Sequence, residues 1–380
     1  MKKKALATRM ASPSTILRKL AKIPKDWINE YAPKPQMFTD IEKLFQGGYH
    51  SLIVGITGGG KTTLLLKILK ELRSRGFTIL ARDDGGLEAS YLLPYTKITY
   101  WIPEGCELRM NNCPYNYDIA EFNPDNPMEI LDHVFESPFN LVVFDAYTYE
   151  PALSAEFWAE LFKSLIFKCM QTPRSKKRKL IFSIDELNDL IQPKGYNLTP
   201  KHAKVRALIE YNIRKLRKHN VTLIATSHRF TQLGISVRSQ FSYVIVKQSY
   251  GWDAWDFLSK SLATQNNKVF WAILKDVTSF APQYFYLFDY KNRFDKYQFS
   301  DIPRPDIDPE PIGVLKWDGK DGKSTPQKIR EIAKRRALIA YHLGQGKTLM
   351  EIVRETGLPQ STVRDDIIYL RQHTRIKEFD

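Results

Sequence analysis

The run Gly55-Ile-Thr-Gly-Gly-Gly-Lys61-Thr62 holds the residues best able to do chemistry, because it fits the spacing G-x-x-x-x-G-K-[ST] of a phosphate-binding loop. Leu52, Ile53 and Val54 read as a short buried strand entering it, and Thr62 to Arg75 as a helix leaving it. The glycines let the backbone curl so that successive N–H groups face a polyphosphate, which the following helix N-terminus also attracts. Lys61 then neutralises β- and γ-phosphates, and the Thr62 hydroxyl is offered to Mg²⁺. Gly55, Thr57, Gly58, Gly59, Gly60, Lys61, Thr62 and Thr63 are the expected contacts of a nucleotide, ATP, with Mg²⁺ as its companion ion.

Such a site needs carboxylates at the end of a neighbouring buried strand. Leu180-Ile-Phe-Ser-Ile-Asp185-Glu186 has that form, with Asp185 expected on the Mg²⁺ side and Glu186 as general base or water-positioning residue. Leu141-Val-Val-Phe-Asp145 is a rival that ends in one acid only, and either aspartate could instead cap the next helix. Further on, the strand Val221 to Ala225 runs into Thr226-Ser227-His228-Arg229. Ser227 and His228 are therefore candidate sensors of the terminal phosphate, or simply polar residues at a strand mouth. Among Arg214, Arg217, Arg229 and Arg238, one could reach a neighbouring subunit's nucleotide; Arg217 and Arg238 are the candidates retained.

The elements that must position these residues form an α/β pattern, with a mostly parallel sheet expected. Candidate strands are Ser51–Val54, Thr78–Ala81, Leu141–Phe144, Leu180–Ile184, Val221–Ala225 and Tyr243–Val246. Val269–Leu274 and Tyr284–Phe288 read as two more, forming an antiparallel edge, and a helix is expected over Lys201–His219. Residues 1–45 read as a basic N-terminal arm with an irregular lead-in, 46–299 as the main domain, 300–325 as a Pro/Gly/Asp-rich linker and 326–380 as a small helical domain.

Composition narrows the partners. The net charge of +15 favours a polyanion, nucleic acid before others. Three cysteines, Cys106, Cys113 and Cys169, suit neither a disulfide framework nor zinc spacing. With no signal-peptide pattern and no run of membrane-spanning length, a cytoplasmic location is expected.

In the last 55 residues, Pro326–His342 reads as an amphipathic helix, Thr348-Leu-Met-Glu351 as a capping box, Gly357 as a tight turn and Leu358-Pro359-Gln360-Ser361 as the start of a third helix. Ile352, Val353, Leu358, Val363 and Ile367 would share a core. Gln360, Ser361, Thr362 and Arg364 would face a DNA major groove, with Lys334, Arg335 and Arg336 touching phosphates. A protein-binding three-helix unit has the same pattern. The runs Arg174–Lys179 and Arg214–Lys218 could line a DNA path or a solvated face.

Taken in order, the loop at Gly55–Thr62, Ala81-Arg-Asp-Asp-Gly-Gly-Leu-Glu88, Asp185-Glu186, and Val221 to Arg229 followed by Val237-Arg-Ser-Gln-Phe-Ser-Tyr-Val resemble the HerA/FtsK class of DNA-pumping ATPases, which includes viral genome-packaging ATPases. The resemblance implies a RecA-like P-loop NTPase domain, here with a helix-turn-helix appended. It also implies a ring, pentameric or hexameric, that drives double-stranded DNA through its centre, with a portal or capsid component as a further partner. Ser227-His228 stands where that class usually carries glutamine. The alternatives are an AAA+ replication initiator, which predicts a helical lid after the core, and a DNA-binding regulator that uses nucleotide only as a switch.

Overall fold

The computed structural model describes residues 12–39, 41–44, 49–172, 179–191, 200–263, 265–315 and 326–373. Lys2, Lys3, Lys4, Arg9 and the basic run at 174–178 lie outside them, as do the side chains of Lys334 and Ser361. The chain divides into a large unit, Met1–Phe122 with Asn126–Lys316, and a small one, Asn123–Asp125 with Trp317–Asp380.

The large unit begins with α1 (Pro13–Lys22), α2 (Asp26–Tyr31), β1 (Gln36–Met37), β2 (Ser51–Val54) and α3 (Lys61–Ser74). There follow β3 (Thr78–Arg82), β4 (Ile98–Pro103), β5 (Glu107–Asn111), β6 (Tyr117–Phe122), α4 (Met128–His133), β7 (Phe139–Val142) and α5 (Pro151–Gln171). Next come β8 (Leu180–Ile184), α6 (Leu187–Leu190), α7 (Pro200–Arg217), β9 (Val221–Ser227), α8 (Ile235–Arg238) and β10 (Tyr243–Val246). It closes with α9 (Gly251–Ser261), α10 (Asn267–Thr278), β11 (Tyr284–Phe288), β12 (Phe294–Gln298) and β13 (Asp308–Ile312).

Eleven strands form one sheet in the order β1-β12-β11-β10-β2-β9-β8-β3-β7-β4-β6. Every pairing is parallel except the two made by β11. β2, β8 and β9 are buried at every residue, which requires cover on both faces and explains why they read as unbroken apolar runs. The register sets β2 directly against β9, Val54 opposite Ser227, and β9 against β8, Ile184 opposite Ala225. The ends of these three strands thereby come together at one edge, where ligands of open α/β sheets bind. No helix of the described residues is long and apolar enough to cross a membrane.

Four expectations need correction. Val269–Leu274 is helical, within α10: Asn266 caps it by accepting from the Lys268 N–H at 2.9 Å, and Ala272, Ile273, Asp276 and Val277 turn one face inward. A short apolar run has no period of its own to separate strand from helix. The lead-in is not irregular, since Ser12 caps α1 with Pro13 at its first position. The stretch 300–325 is not linker throughout, because β13 pairs antiparallel with β5 despite Pro309 and Pro311, as only an edge strand can. The strand expected at Leu141–Phe144 lies two residues earlier, at β7, and Asp145 opens a 3₁₀ turn.

The small unit holds α11 (Pro326–Gly344), α12 (Leu349–Thr356) and α13 (Gln360–His373). Ile339, Ile352, Val363, Ile367 and Leu370 make its core, with Val353 and Leu358 packed on the rim. The Glu351 carboxylate accepts the Thr348 N–H at 2.8 Å, completing the capping box, and Gly357 ends α12 at φ 66°. Arg335 and Arg336, expected on phosphates, instead close on buried Asp366 at 2.6 and 2.8 Å and hold its carboxyl below the usual range against the effect of burial. Gln360 and Arg364 are exposed and Thr362 is half-buried. Ile352→Ala should destabilise this unit by about 2–5 kcal/mol. Calorimetry should then show its transition falling while that of the large unit stays in place.

Candidate nucleotide site

The loop between β2 and α3 is shaped by glycines at the points where side chains would not fit. Gly58 and Gly60 take φ of 76° and 77°, and a Cβ on Gly60 would sit 2.8 Å from the Pro282 carbonyl oxygen. The loop is held from the β10 side, where the Ile56 N–H donates to the Gln248 carbonyl at 2.7 Å. Next to it, Lys247 is buried and donates to the Pro282 carbonyl, and burial pushes its ammonium down to about 7. A polypeptide arch braced in this way, opening onto a helix N-terminus, has the shape of a polyphosphate cradle.

β8 and β9 deliver the other half. The Thr62 hydroxyl donates to Asp185 Oδ2 at 3.2 Å, and the Thr226 hydroxyl donates to Asp185 Oδ1. Thr226 Oγ1 in turn accepts the Glu186 N–H at 2.9 Å, fixing the two acids relative to each other. Glu186 has φ 48°, a backbone state that a non-glycine residue adopts only under constraint. That turn aims its carboxylate at Lys61, whose Nζ lies 3.3 Å from Oε1. His228 bridges the same pair, with Nδ1 at 3.1 Å from Lys61 Nζ and Nε2 at 3.3 Å from Glu186 Oε1. An ammonium only donates, so Nδ1 accepts, and the ring proton sits on Nε2, facing the carboxylate. Burial and Lys61 push the His228 pKa down, keeping the ring neutral at pH 7.

Burial also pushes the Glu186 carboxyl up to about 7; Lys61 opposes the rise and Asp185 adds to it. Glu186 Oε2 is buried with no hydrogen-bond partner among the described residues. An acceptor left without a donor at a cavity wall suits a group that must receive a proton from a bound molecule. The cavity, about 840 Å³, is lined by Thr57, Gly58, Gly60, Lys61, Thr62 and Thr63 on one side and by Glu186 and His228 on another. That size lies within the range of about 300–1,000 Å³ usual for small-molecule sites. The glycine arch, the Thr62–Asp185 pair and the free oxygen fit a magnesium nucleotide: the loop and Lys61 would hold the phosphates, and Thr62 and Asp185 the ion.

The structure separates the two rival acids. Asp145 accepts from Arg82 Nε at 2.9 Å, from Trp158 Nε1 at 2.8 Å and from the Ser154 hydroxyl, and does not line the cavity. Arg82 continues to the Asp185 carbonyl at 2.6 Å, so Asp145 supports the acid strand from behind. Ser227 is buried and donates to the Arg229 carbonyl at 3.1 Å. Arg217 stacks on Tyr49, just before β2 begins and so at the far end of the strands, and Arg238 pairs with Asp256 at 3.3 Å; neither lines the cavity. Thr226, Arg82, Pro282 and Arg304 are site residues that no local pattern announced. Asp83, Asp84 and Glu88 form an acidic group after β3, and the last two reach the cavity.

No family model and no curated protein matches the sequence. Solved structures are similar to it at low identity. The genome packaging NTPase B204 from Sulfolobus turreted icosahedral virus 2, in complex with AMPPCP, is 14% identical over 67% of this chain and 99% of its own, with a TM-score of 0.42. The bacterial conjugative coupling protein TrwBΔN70 is 13% identical over 77% and 94%, at 0.46. The pCW3 conjugation coupling protein TcpA is 15% identical over 73% and 70%, at 0.37. The fold is α/β: a mostly parallel sheet with the glycine loop leading from β2 into α3.

Asp145→Ala should leave Arg82 buried without its carboxylate and cost about 3–5 kcal/mol of stability. Denaturant unfolding checks the loss, and nucleotide affinity measured on the folded variant should stay within about twofold of the parent.

Proposed function

We propose that this chain is an ATPase that moves double-stranded DNA, acting as a ring of identical subunits in viral or plasmid genome packaging or transfer. The observation that carries the ATPase part is the convergence of Lys61, Thr62–Asp185 and Glu186–His228 on one cavity beneath a glycine arch. In this reading the loop amides and Lys61 hold the β- and γ-phosphates, and Glu186 accepts the proton of the attacking water. His228 orients Glu186 and senses the terminal phosphate through Lys61. Bound Mg²⁺, held at Thr62 and Asp185, would neutralise phosphate charge. Arg217 and Arg238 remain candidates only for contact with a neighbouring subunit's nucleotide.

The DNA part is supported by the charge of +15 and by α11–α13, whose capped middle helix, glycine turn and third helix have the layout of a helix-turn-helix. Gln360, Thr362 and Arg364, with Ser361, are the proposed base-facing set. Arg335 and Arg336, expected on phosphates, are withdrawn as DNA contacts because Asp366 engages them. The helix α10, where a strand was expected, lends the AAA+ reading some support. Against it, the chain then returns to the same sheet with β11 and β12 rather than ending in a helical lid. A location in the host cytoplasm or the virion, with a portal or capsid partner, belongs to the packaging version of this proposal.

Two measurements test the reading. Glu186→Gln should bind ATP normally and lower turnover by about 10²–10⁴-fold, the usual share of a general base. In the parent, a carboxyl raised to about 7 is protonated below that pH and cannot accept a proton. The rate should therefore rise through pH 7 and level off above it, and that limb should vanish in the variant. Hydrolysis should also increase many-fold with long duplex DNA, whose affinity should drop steeply between about 50 and 200 mM salt. Slow turnover indifferent to DNA would favour the nucleotide-switched regulator.

A further inference from the structure

Part of the cavity wall comes from Asp301, Ile302 and Arg304, within the stretch 300–325 whose composition reads as a linker. β12 pairs antiparallel with β11, which pairs antiparallel with β10, so β12 runs parallel with β2 and ends at the same edge of the sheet as the phosphate loop. From there residues 299–307 pass along that edge to β13, which is fixed to β5 by a five-residue register. Both ends are anchored: Phe299 is buried under the Lys247 ammonium, 4.5 Å from the ring centroid, and its N–H donates to the Gln283 carbonyl at 3.1 Å, while Ile307 is buried at the other end.

Between the anchors stands Ile302-Pro303-Arg304-Pro305. Each proline fixes its own φ and biases the residue before it toward an extended backbone, so Ile302 and Arg304 are both held extended. In an extended chain, residues two apart share a face. Ile302 and Arg304 do so, and both line the nucleotide cavity. Arg304 lies at the acid side of it, 5.6 Å from the Tyr91 ring centroid, and is one of the charges acting on Glu88. Tyr91 and Glu88 follow β3, which neighbours the β8 strand that carries Asp185 and Glu186. The proline-braced guanidinium thus lines the same cavity as Lys61 and Glu186, on the side of Tyr91 and Glu88.

We propose that this strap is the closing wall of the nucleotide site and that Arg304 contacts the terminal phosphate of a nucleoside triphosphate bound in the same chain. The proposal rests on the P-loop reading above and adds a ligand contact from a segment outside the motifs of that reading. A guanidinium presents a planar fork to phosphate oxygens that an ammonium cannot reproduce. Arg304 is exposed, so substitution should leave the fold intact.

The test measures binding of a fluorescent ATP analogue and of the matching ADP analogue to the full chain with Mg²⁺, for the parent, Arg304→Ala, Arg304→Lys and Lys61→Ala. Arg304→Ala should weaken the triphosphate by about ten- to a hundredfold, the worth of a charge-assisted hydrogen bond, and leave the diphosphate within about twofold. Arg304→Lys should recover only part of the loss. Equal losses for both nucleotides, or none for either, would overturn the assignment of Arg304 while leaving the P-loop reading intact. A parent that binds neither nucleotide, or a Lys61→Ala variant that binds both as well as the parent, would instead reject the P-loop reading.

Discussion

A lysine ammonium and a glutamate carboxylate held together out of water form the constraint on which the rest of this structure depends. Lys61 and Glu186 come from elements far apart in the sequence and meet at 3.3 Å with almost no exposure on either side chain. Removing two charges from water is costly unless geometry and further hydrogen bonds compensate. The compensation here is His228, which accepts from one partner and faces the other with its N–H. The strained turn at Glu186 adds to that cost, by about 1–3 kcal/mol, and persists only where the surroundings over-determine it. That strain does not come from Glu186 alone; it is imposed by the order of the strands.

The strand order explains how. β9 lies between the phosphate-loop strand and the acid strand, so Thr226 at its end can bond to Asp185 and Glu186 at once. On the far side of β8, Arg82 ties the Asp185 carbonyl to Asp145. At the opposite end of β9, buried His50 accepts the Leu223 N–H at 2.9 Å and its Nε2 lies 2.7 Å from the Ile213 carbonyl, with burial holding the ring down to about 4 and hence neutral. The three central strands are therefore pinned at both ends. A shift of β9 by one residue would exchange Thr226 for a residue pointing to the other face of the sheet.

This also accounts for what could be read from the sequence. Gly55–Thr62 and Asp185-Glu186 were legible because their chemistry is written within a few consecutive residues. Thr226, Arg82 and Arg304 were not, since their roles arise from which strands become neighbours, and no local spacing encodes that. The choice between Asp145 and Asp185 rested on one adjacent acid; the geometry separates them by their partners, Arg82 and Trp158 for the first and Thr62 for the second. Ile302-Pro303-Arg304-Pro305 was read as a linker for its prolines, yet those prolines give an unpaired strap its stiffness. At Val269–Leu274 β-favouring side chains suggest a strand, yet the segment is helical behind its Asn266 cap, because packing overrides propensity once a face is buried.

The distribution of charge bears on where a second polyanion can go. The chain as a whole carries a net charge of +15, yet its nucleotide cavity is lined by the carboxylates of Asp84, Glu88, Glu186 and Asp301 against the cations of Lys61 and Arg304. A cavity with that balance repels a bare polyphosphate and favours one whose charge is reduced by a divalent cation. It equally disfavours a nucleic-acid backbone, which is a run of phosphates with no fixed cation of that kind. The basic surplus that makes DNA an attractive partner must therefore lie outside the nucleotide cavity. Any surface for a nucleic-acid backbone is then separate from the cavity.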